Sequence, residues 1–320
     1  MKPLLTSTIV LAGVAGAALA NEPVWDANKV VLESHELADG VFAVVPQGAE
    51  EMAKAGYPIA TSGGFVIGER GVLVIDSMLN ERLNRQLMDL IAAETDKPVL
   101  YMVNTSYHGD HSYGNQYLPE EVEIIQHAFT AEYIHEHIDA DKAFMMQNFG
   151  TGRGIEEIEA TEADILVAEG GAITVDLGDI NVDIKDYGFA QTGGDLFVSV
   201  PDANVLWTGN PIAAEAPALP WLLDGHLVET RETLQEVRAM VNDDTQIVPG
   251  HGPVTDAAAI DWAISYLSEV ETQVGQAVAE GLTLEETVAE VEMADYQGYA
   301  LFGWVHPHLN VPAAYTDLHD

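Results

Sequence analysis

The chain has 320 residues, 48% of them hydrophobic, which is enough apolar material for one large domain or two ordinary ones. Its 52 acidic side chains outnumber 12 basic ones and leave a formal net charge of −40, so nucleic acid and anionic lipid are repelled and neither is expected as a partner. With no cysteine, disulfides and thiolate ligands are excluded, and any transition-metal site must be built from His, Asp and Glu.

The first twenty residues stand apart from the rest. Lys2 precedes the apolar run IVLAGVAGAALA, which closes on Ala18-Leu19-Ala20. A basic start, a short apolar stretch and small residues at its end predict a secretory signal cut before Asn21. The run falls short of the roughly 20 apolar residues that a spanning helix needs. A periplasmic or secreted protein with no membrane insertion is therefore expected. The acidic residues beyond it are scattered, as in DANKVVLESHELADG, rather than gathered into a block, and predict a solvated surface. Screening at high ionic strength relieves the self-repulsion of such a surface, which fits a marine or halophilic source.

Next come short apolar runs between glycines, GVFAVV (40–45), GGFVIG (63–68) and GVLVIDS (71–77), which read as strands linked by tight turns. A helical segment follows with Leu83, Leu87 and Leu90 on one face, then the buried-strand pattern PVLYMVN (98–104). The strand VEIIQ (122–126) leads into a helix from His127 to about Ile138. After the glycine-rich break at 150–154, the runs ADILVAE, GAITVDLG, INVDIKDYG, DLFVSVP and NVLWTGN predict five strands with short turns between 163 and 210. Helical periodicity resumes at 229–241, followed by the strand TQIVPG (245–250) and a long helix over 257–279. Thr283 with Glu286 forms a capping box that starts one more helix. Each half opens with meandering strands and ends in alternating strands and helices, and no low-complexity linker divides them. One domain over 21–320, with two sheets covered by helices, is the economical reading.

In α/β sheets ligands collect outside the carboxyl ends of strands, and three polar clusters sit at such ends. His108, Asp110 and His111 follow PVLYMVN. Gln191 lies in GFAQTGGD after INVDIKDY. His251 lies in VPGHGPV after TQIV, where flanking glycines allow a sharp turn.

In their order and spacing these motifs resemble those of the metallo-β-lactamase superfamily, across essentially the whole of 21–320. The usual pattern is H-x-H-x-D-H after a strand, a later His before Thr-x-Gly, an Asp after TG near a strand end, and a final His in PGHG. Here the first motif reads Ser106-Tyr107-His108-Gly109-Asp110-His111, the second Gln191-Thr192-Gly193-Gly194-Asp195, TG is followed by Asn210, and PGHG is intact with His251. GGFVIGERGVLVIDS, with Asp76 closing an early strand, matches as well. The resemblance implies a four-layer αββα sandwich of two mixed sheets flanked by helices. It also implies two zinc sites, of which Ser106 and Gln191 have each removed a ligand from the first. Asn210 cannot supply the bridging carboxylate, while Asp110, His111 and His251 remain for the second.

Two imidazoles and one carboxylate, with a fourth position open, are the donor set of a catalytic zinc. A serine hydroxyl and a glutamine amide are poor zinc ligands beside imidazole. One Zn2+ per chain is expected, on Asp110, His111 and His251, with His108 close by. The expected activity is a zinc-dependent hydrolysis of a small carbonyl substrate, a β-lactam, lactone or ester, with Asp110 and His108 as catalytic residues. Ser106, Gln191, Asn210 and Trp221 are expected as pocket residues or weak ligands, Trp221 as an exposed wall in the loop PALPWLLDGH (217–226). The alternative is a catalytically inactive protein of this fold that binds a small ligand or a metal. His135 and His137, two apart on a helix, read as surface residues, and His306 and His308 as packing residues of a carboxyl-terminal tail.

Overall fold

The computed structural model describes residues 28–55, 59–213, 219–298 and 301–319. The expected secretory signal lies outside them. The first sheet has seven strands in sequence order: β1 (Leu32–Ala38), β2 (Val41–Pro46), β3 (Gly63–Ile67), β4 (Val72–Ile75), β5 (Val99–Val103), β6 (Glu123–His127) and β7 (Ile165–Val167). The first four form an antiparallel meander, and β4 to β7 run parallel. The second sheet repeats this plan more briefly. Its strands β8 (Ala172–Asp176), β9 (Asn181–Lys185), β10 (Phe197–Val200) and β11 (Val205–Gly209) are antiparallel neighbours, and β12 (Gln246–Pro249) lies parallel to β11.

Helices cover both outer faces. Within the first half they are α1 (Ala49–Lys54), α2 (Glu81–Glu94), the short α3 (Gly109–Ser112) and α4 (Ala128–Phe149). The second half supplies α5 (Leu227–Met240), α6 (Ala257–Glu280), α7 (Leu284–Glu290), α8 (Phe302–Val305) and α9 (Val311–His319). Two mixed sheets between helical layers give the four-layer αββα sandwich.

The two-residue period of strands explains the layering. Along β2, Phe42 and Val44 point outward to pack with Leu83, Leu87 and Ile91 of α2. Val41, Ala43 and Val45 point the other way, against Val182, Ile184, Val198 and Trp207 of the second sheet. Burial on both faces is why these strands read as continuous apolar runs rather than alternating ones. Trp207 is fully buried between the sheets and donates its indole N–H to the Gly63 carbonyl at 3.0 Å, fixing their relative position. A third apolar cluster joins the second sheet's outer face to α5, α6 and α9.

Three features depart from the sequence reading. β1 carries partly buried or exposed polar residues from Glu33 to Glu36, so hydrophobic periodicity gave no signal for it. α4 continues past Ile138 to Phe149. The tail around His306 and His308 is helical: α8 passes through a π-helical turn, His306–Asn310, into α9. In that turn the Val311 N–H bonds the His306 carbonyl, which absorbs Pro307 without ending the helix. Among the described residues no helix is long and apolar enough to cross a membrane.

Candidate metal centre

Three chain segments meet at the carboxyl ends of the strands. β5 delivers Asn104 to His108 and then α3, which carries Asp110 and His111. β12 delivers the turn holding His251, and the chain before β3 passes beside that turn. There Thr61 bridges to His251, and Ser62 N–H bonds the Gly250 carbonyl at 2.8 Å.

One ligand atom each from Asp110, His111 and His251 lies within 4.8 Å of the others. His111 Nε2 is 3.6 Å and His251 Nε2 3.5 Å from the same Asp110 oxygen, Oδ2. The far nitrogens are committed elsewhere. His111 Nδ1 donates to Asp76 Oδ2 at 2.7 Å, and His251 Nδ1 donates to the Ile59 carbonyl at 2.8 Å. Those bonds commit both Nδ1 atoms, so each Nε2 faces the common point and is the nitrogen left to bind a metal once it is free of a proton. His111 Nε2 is buried and makes no hydrogen bond of normal geometry among the described residues, with the Asn210 side chain nearby. Geometry and donor chemistry both suit a divalent ion such as zinc.

The support behind these side chains is built deliberately. Asp76 sits in the left-handed region at φ 61°, an uncommon place for aspartate, and its carboxylate is saturated. Thr105 donates its backbone N–H to Oδ1 at 2.8 Å and its hydroxyl to Oδ2 at 2.9 Å. Thr61 donates its hydroxyl to Asp110 Oδ2 at 2.6 Å. Asn104 Nδ2 holds the His111 carbonyl at 3.0 Å. Gly250 favours glycine, because a Cβ there would lie 2.9 Å from the backbone at both Gly209 and Asn210 and closer still to Asn210 Oδ1.

Electrostatics follow from burial and these neighbours. Burial works against the imidazolium of His111, but Asp110 and Asp76 outweigh it and lift the group to about 9. Burial works against the Asp110 carboxylate, but His111, His251 and His108 outweigh it and bring the group down to about 2. For His251 burial dominates and the value falls below that of free imidazole.

The other side of the pocket is organised differently. Ser106 is fully buried, its hydroxyl accepting only a long 3.4 Å contact from the His108 N–H. His108 lies parallel to the Tyr107 ring at 4.8 Å, and its Nε2 is buried without a partner. Burial drives His108 down to about 4. Gln191 is buried with Oε1 unpartnered, while its backbone N–H is held by Asp195 Oδ2 at 2.7 Å. The buried Asn210 reaches His111, and its side chain replaces a carboxylate with an amide. Trp221 is not the exposed wall the sequence suggested. It is half-buried, edge-on to Trp304 at 5.6 Å, and belongs to the carboxyl-terminal helical cluster.

Sequence reasoning missed Thr61, Ile59, Thr105, Tyr107 and Asp224 as contributors to the site. A serine- or threonine-bearing loop beside a strand is too common to stand out, and Ile59 acts through its backbone alone. The remaining histidines stay apart from the centre. His135 and His137 are exposed on α4. His306 is buried, accepting from the Tyr266 hydroxyl at 2.7 Å and donating to the Val291 carbonyl, while His308 is exposed.

Comparison with known proteins gives a match to the model of the metallo-beta-lactamase superfamily over residues 56–251. Among solved structures, a metallo-beta-lactamase from Pontibacter korlensis superposes with a TM-score of 0.53 at 18% identity, covering 74% of this chain and 99% of that one. The stereoselective inverting sec-alkylsulfatase Pisa1 from a Pseudomonas species superposes with a TM-score of 0.69 at 16% identity, covering 89% of this chain and 50% of that one. At such identities the superpositions speak to fold.

Proposed function

The chain belongs to the metallo-β-lactamase superfamily, and from that premise we propose that it is an exported hydrolase using one zinc ion and a small carbonyl substrate. The observation that carries this reading is the pair of imidazoles with pinned Nδ1 atoms, both presenting Nε2 to one Asp110 oxygen. Zinc held there would supply an acidified water and polarise a substrate oxygen. Asp110, ionised and steadied by Thr61, would help to hold the ion and would accept a hydrogen bond from a water in the site, orienting it. His108, neutral because it is buried, donates from Nε2 to the oxygen on which negative charge develops, in the tautomer that carries its proton there.

Ester, lactone and β-lactam carbonyls suit a single ion, whereas in-line displacement at phosphorus commonly uses two. The acidic surface suits a saline surrounding outside the cell. The replacement of donors by Ser106, Gln191 and Asn210 favours a second reading, a non-catalytic binding protein using the same cleft. Elemental analysis followed by turnover of esters, lactones and a chromogenic cephalosporin, before and after chelation, separates the two. The hydrolase reading expects turnover that chelation abolishes and zinc restores. Zinc fully bound with no turnover in any class would transfer the assignment to the binding protein, and turnover surviving chelation would remove zinc from the chemistry.

A further inference from the structure

The half of the pocket that has lost its imidazoles is not simply emptied. Tyr107 lies between the centre and a second polar group: it stacks on His108 on one side and on Tyr133 on the other, at 3.6 Å and 18°. Its hydroxyl donates to Asp224 Oδ2 at 2.6 Å. Asp141 adjoins the Tyr133 phenol. The turn from Gln191 to Asp195 closes the other side, with Gly193 facing the Phe129 ring, where a Cβ would stand in van der Waals contact at 3.4 Å. Phe129 is tilted toward both tyrosines, with centroids at 6.4 and 6.1 Å, and is 41% exposed.

Two buried side chains in this turn carry acceptor atoms with no partner among the described residues. Gln191 is 4% exposed and Asp195 1%, and Gln191 Oε1 and Asp195 Oδ1 both lack a hydrogen-bond partner. A buried acceptor without a donor is costly, which makes it an informative feature. Aromatic faces beside carboxylates and unpaired acceptors form an environment for a cation that carries N–H donors. We propose that this half of the pocket is a subsite for an organic ammonium group of the substrate, held by Asp224, Asp195 and Gln191 against the Phe129 ring.

The state of the carboxylates agrees. Burial raises Asp195 to about 7 and Asp141 to about 6, and it raises Asp224 as well. A bound ammonium would supply the compensation that burial denies these groups. The subsite deepens the proposed hydrolase by naming its substrate class: carbonyl compounds bearing an amine, in preference to anionic ones. It rests on that reading only in taking the cleft as the substrate site.

The test uses the full chain freed of metal, so it does not depend on turnover. Titration calorimetry compares benzylammonium, benzyl alcohol and benzoate, which share a ring and differ in charge. Benzylammonium is expected to bind about tenfold more tightly than benzyl alcohol, and benzoate not at all. Phe129→Leu, at an exposed position, and Asp224→Asn, which keeps the size of the side chain and an acceptor for the Tyr107 hydroxyl, should each weaken benzylammonium several-fold with melting temperatures unchanged. Equal binding of the alcohol, no effect of either variant, or displacement by equimolar calcium would overturn the subsite. The first two outcomes would show that charge and ring are not read, and the third that the carboxylates form a metal site. Loss of zinc-dependent turnover with this binding intact would instead refute the hydrolase and leave the subsite standing.

Discussion

On one side of the pocket every functional side chain is held by a second group; on the other, the side chains corresponding to ligands are left loose. His111 is anchored by Asp76, which is itself held twice by Thr105, while His251 is anchored by the Ile59 carbonyl and Asp110 by Thr61. Across the cleft, Ser106 makes one long contact, and His108 and Gln191 each bury an unpartnered polar atom. Unspecific decay would have loosened both sides alike. Retention of the whole supporting shell on one side indicates that precise ligand orientation is still needed there. The difference teaches that ligand count alone understates a metal centre, because the groups behind the ligands record whether their geometry is being maintained.

The strongest way to break this comparison is to remove a ligand from the organised side. His251→Ala leaves one imidazole and one carboxylate, and the variant should retain no zinc after gel filtration, whereas the parent should retain one ion per chain. If the variant keeps its zinc, the organised side is not the metal site. Restoring the disorganised side is next in size. Ser106→His with Gln191→His would give, with His108, three imidazoles, and the double variant should take up a second zinc ion by elemental analysis. Uptake unchanged from the parent would show that the pocket around Tyr107 and Asp195 has been reshaped beyond a simple exchange of ligands.

Most of the fold was legible because burial on both faces leaves continuous apolar runs, as in Val72–Ile75, and because turns are marked by glycine. The candidate triad that the structure brings together was legible through local motifs, since Asp110 and His111 are adjacent and His251 lies between two glycines. What could not be read were contacts made across the fold. Thr61 and Asp110 are 49 positions apart, and Tyr107 and Asp224 are 117 apart. No local pattern encodes such pairs. The helical tail was missed for a different reason, because Pro307 signals a break that a π-turn has accommodated.

A smaller effect sharpens the role of the second group. Asp76→Asn keeps the volume and the contact to Thr105 but exchanges a carboxylate for an amide beside His111 Nδ1. Zinc affinity should fall by about 10–100-fold, with the ion still bound at saturation. Competition against a chromophoric chelator measures it. A change under twofold would mean that Asp76 merely fills space.

The smallest effect is counted in protons. In the metal-free protein at pH 7, His111 holds its proton, since Asp110 and Asp76 overcome the effect of burial and lift it to about 9. Asp110, brought down to about 2, is already ionised, and His251, lowered by burial, is already neutral. Zinc needs the Nε2 lone pair of His111, so each ion bound at pH 7 should release about one proton. Affinity should then rise by about tenfold per pH unit up to pH about 9 and flatten above it. The sign for stability follows from the same shift. A folded-state value raised above that of free imidazole contributes stability that is complete below about pH 6.5 and lost as pH rises through about 9. The metal-free protein should therefore lose melting temperature between pH 7 and 9 more steeply than the zinc form, in which His111 is already neutral. His108, down at about 4, contributes nothing to either effect in this range. Calorimetry of zinc uptake in buffers of different ionisation enthalpy counts the protons. A count near zero would mean that His111 is neutral without metal, and that the two carboxylates beside it do not act together as their positions require.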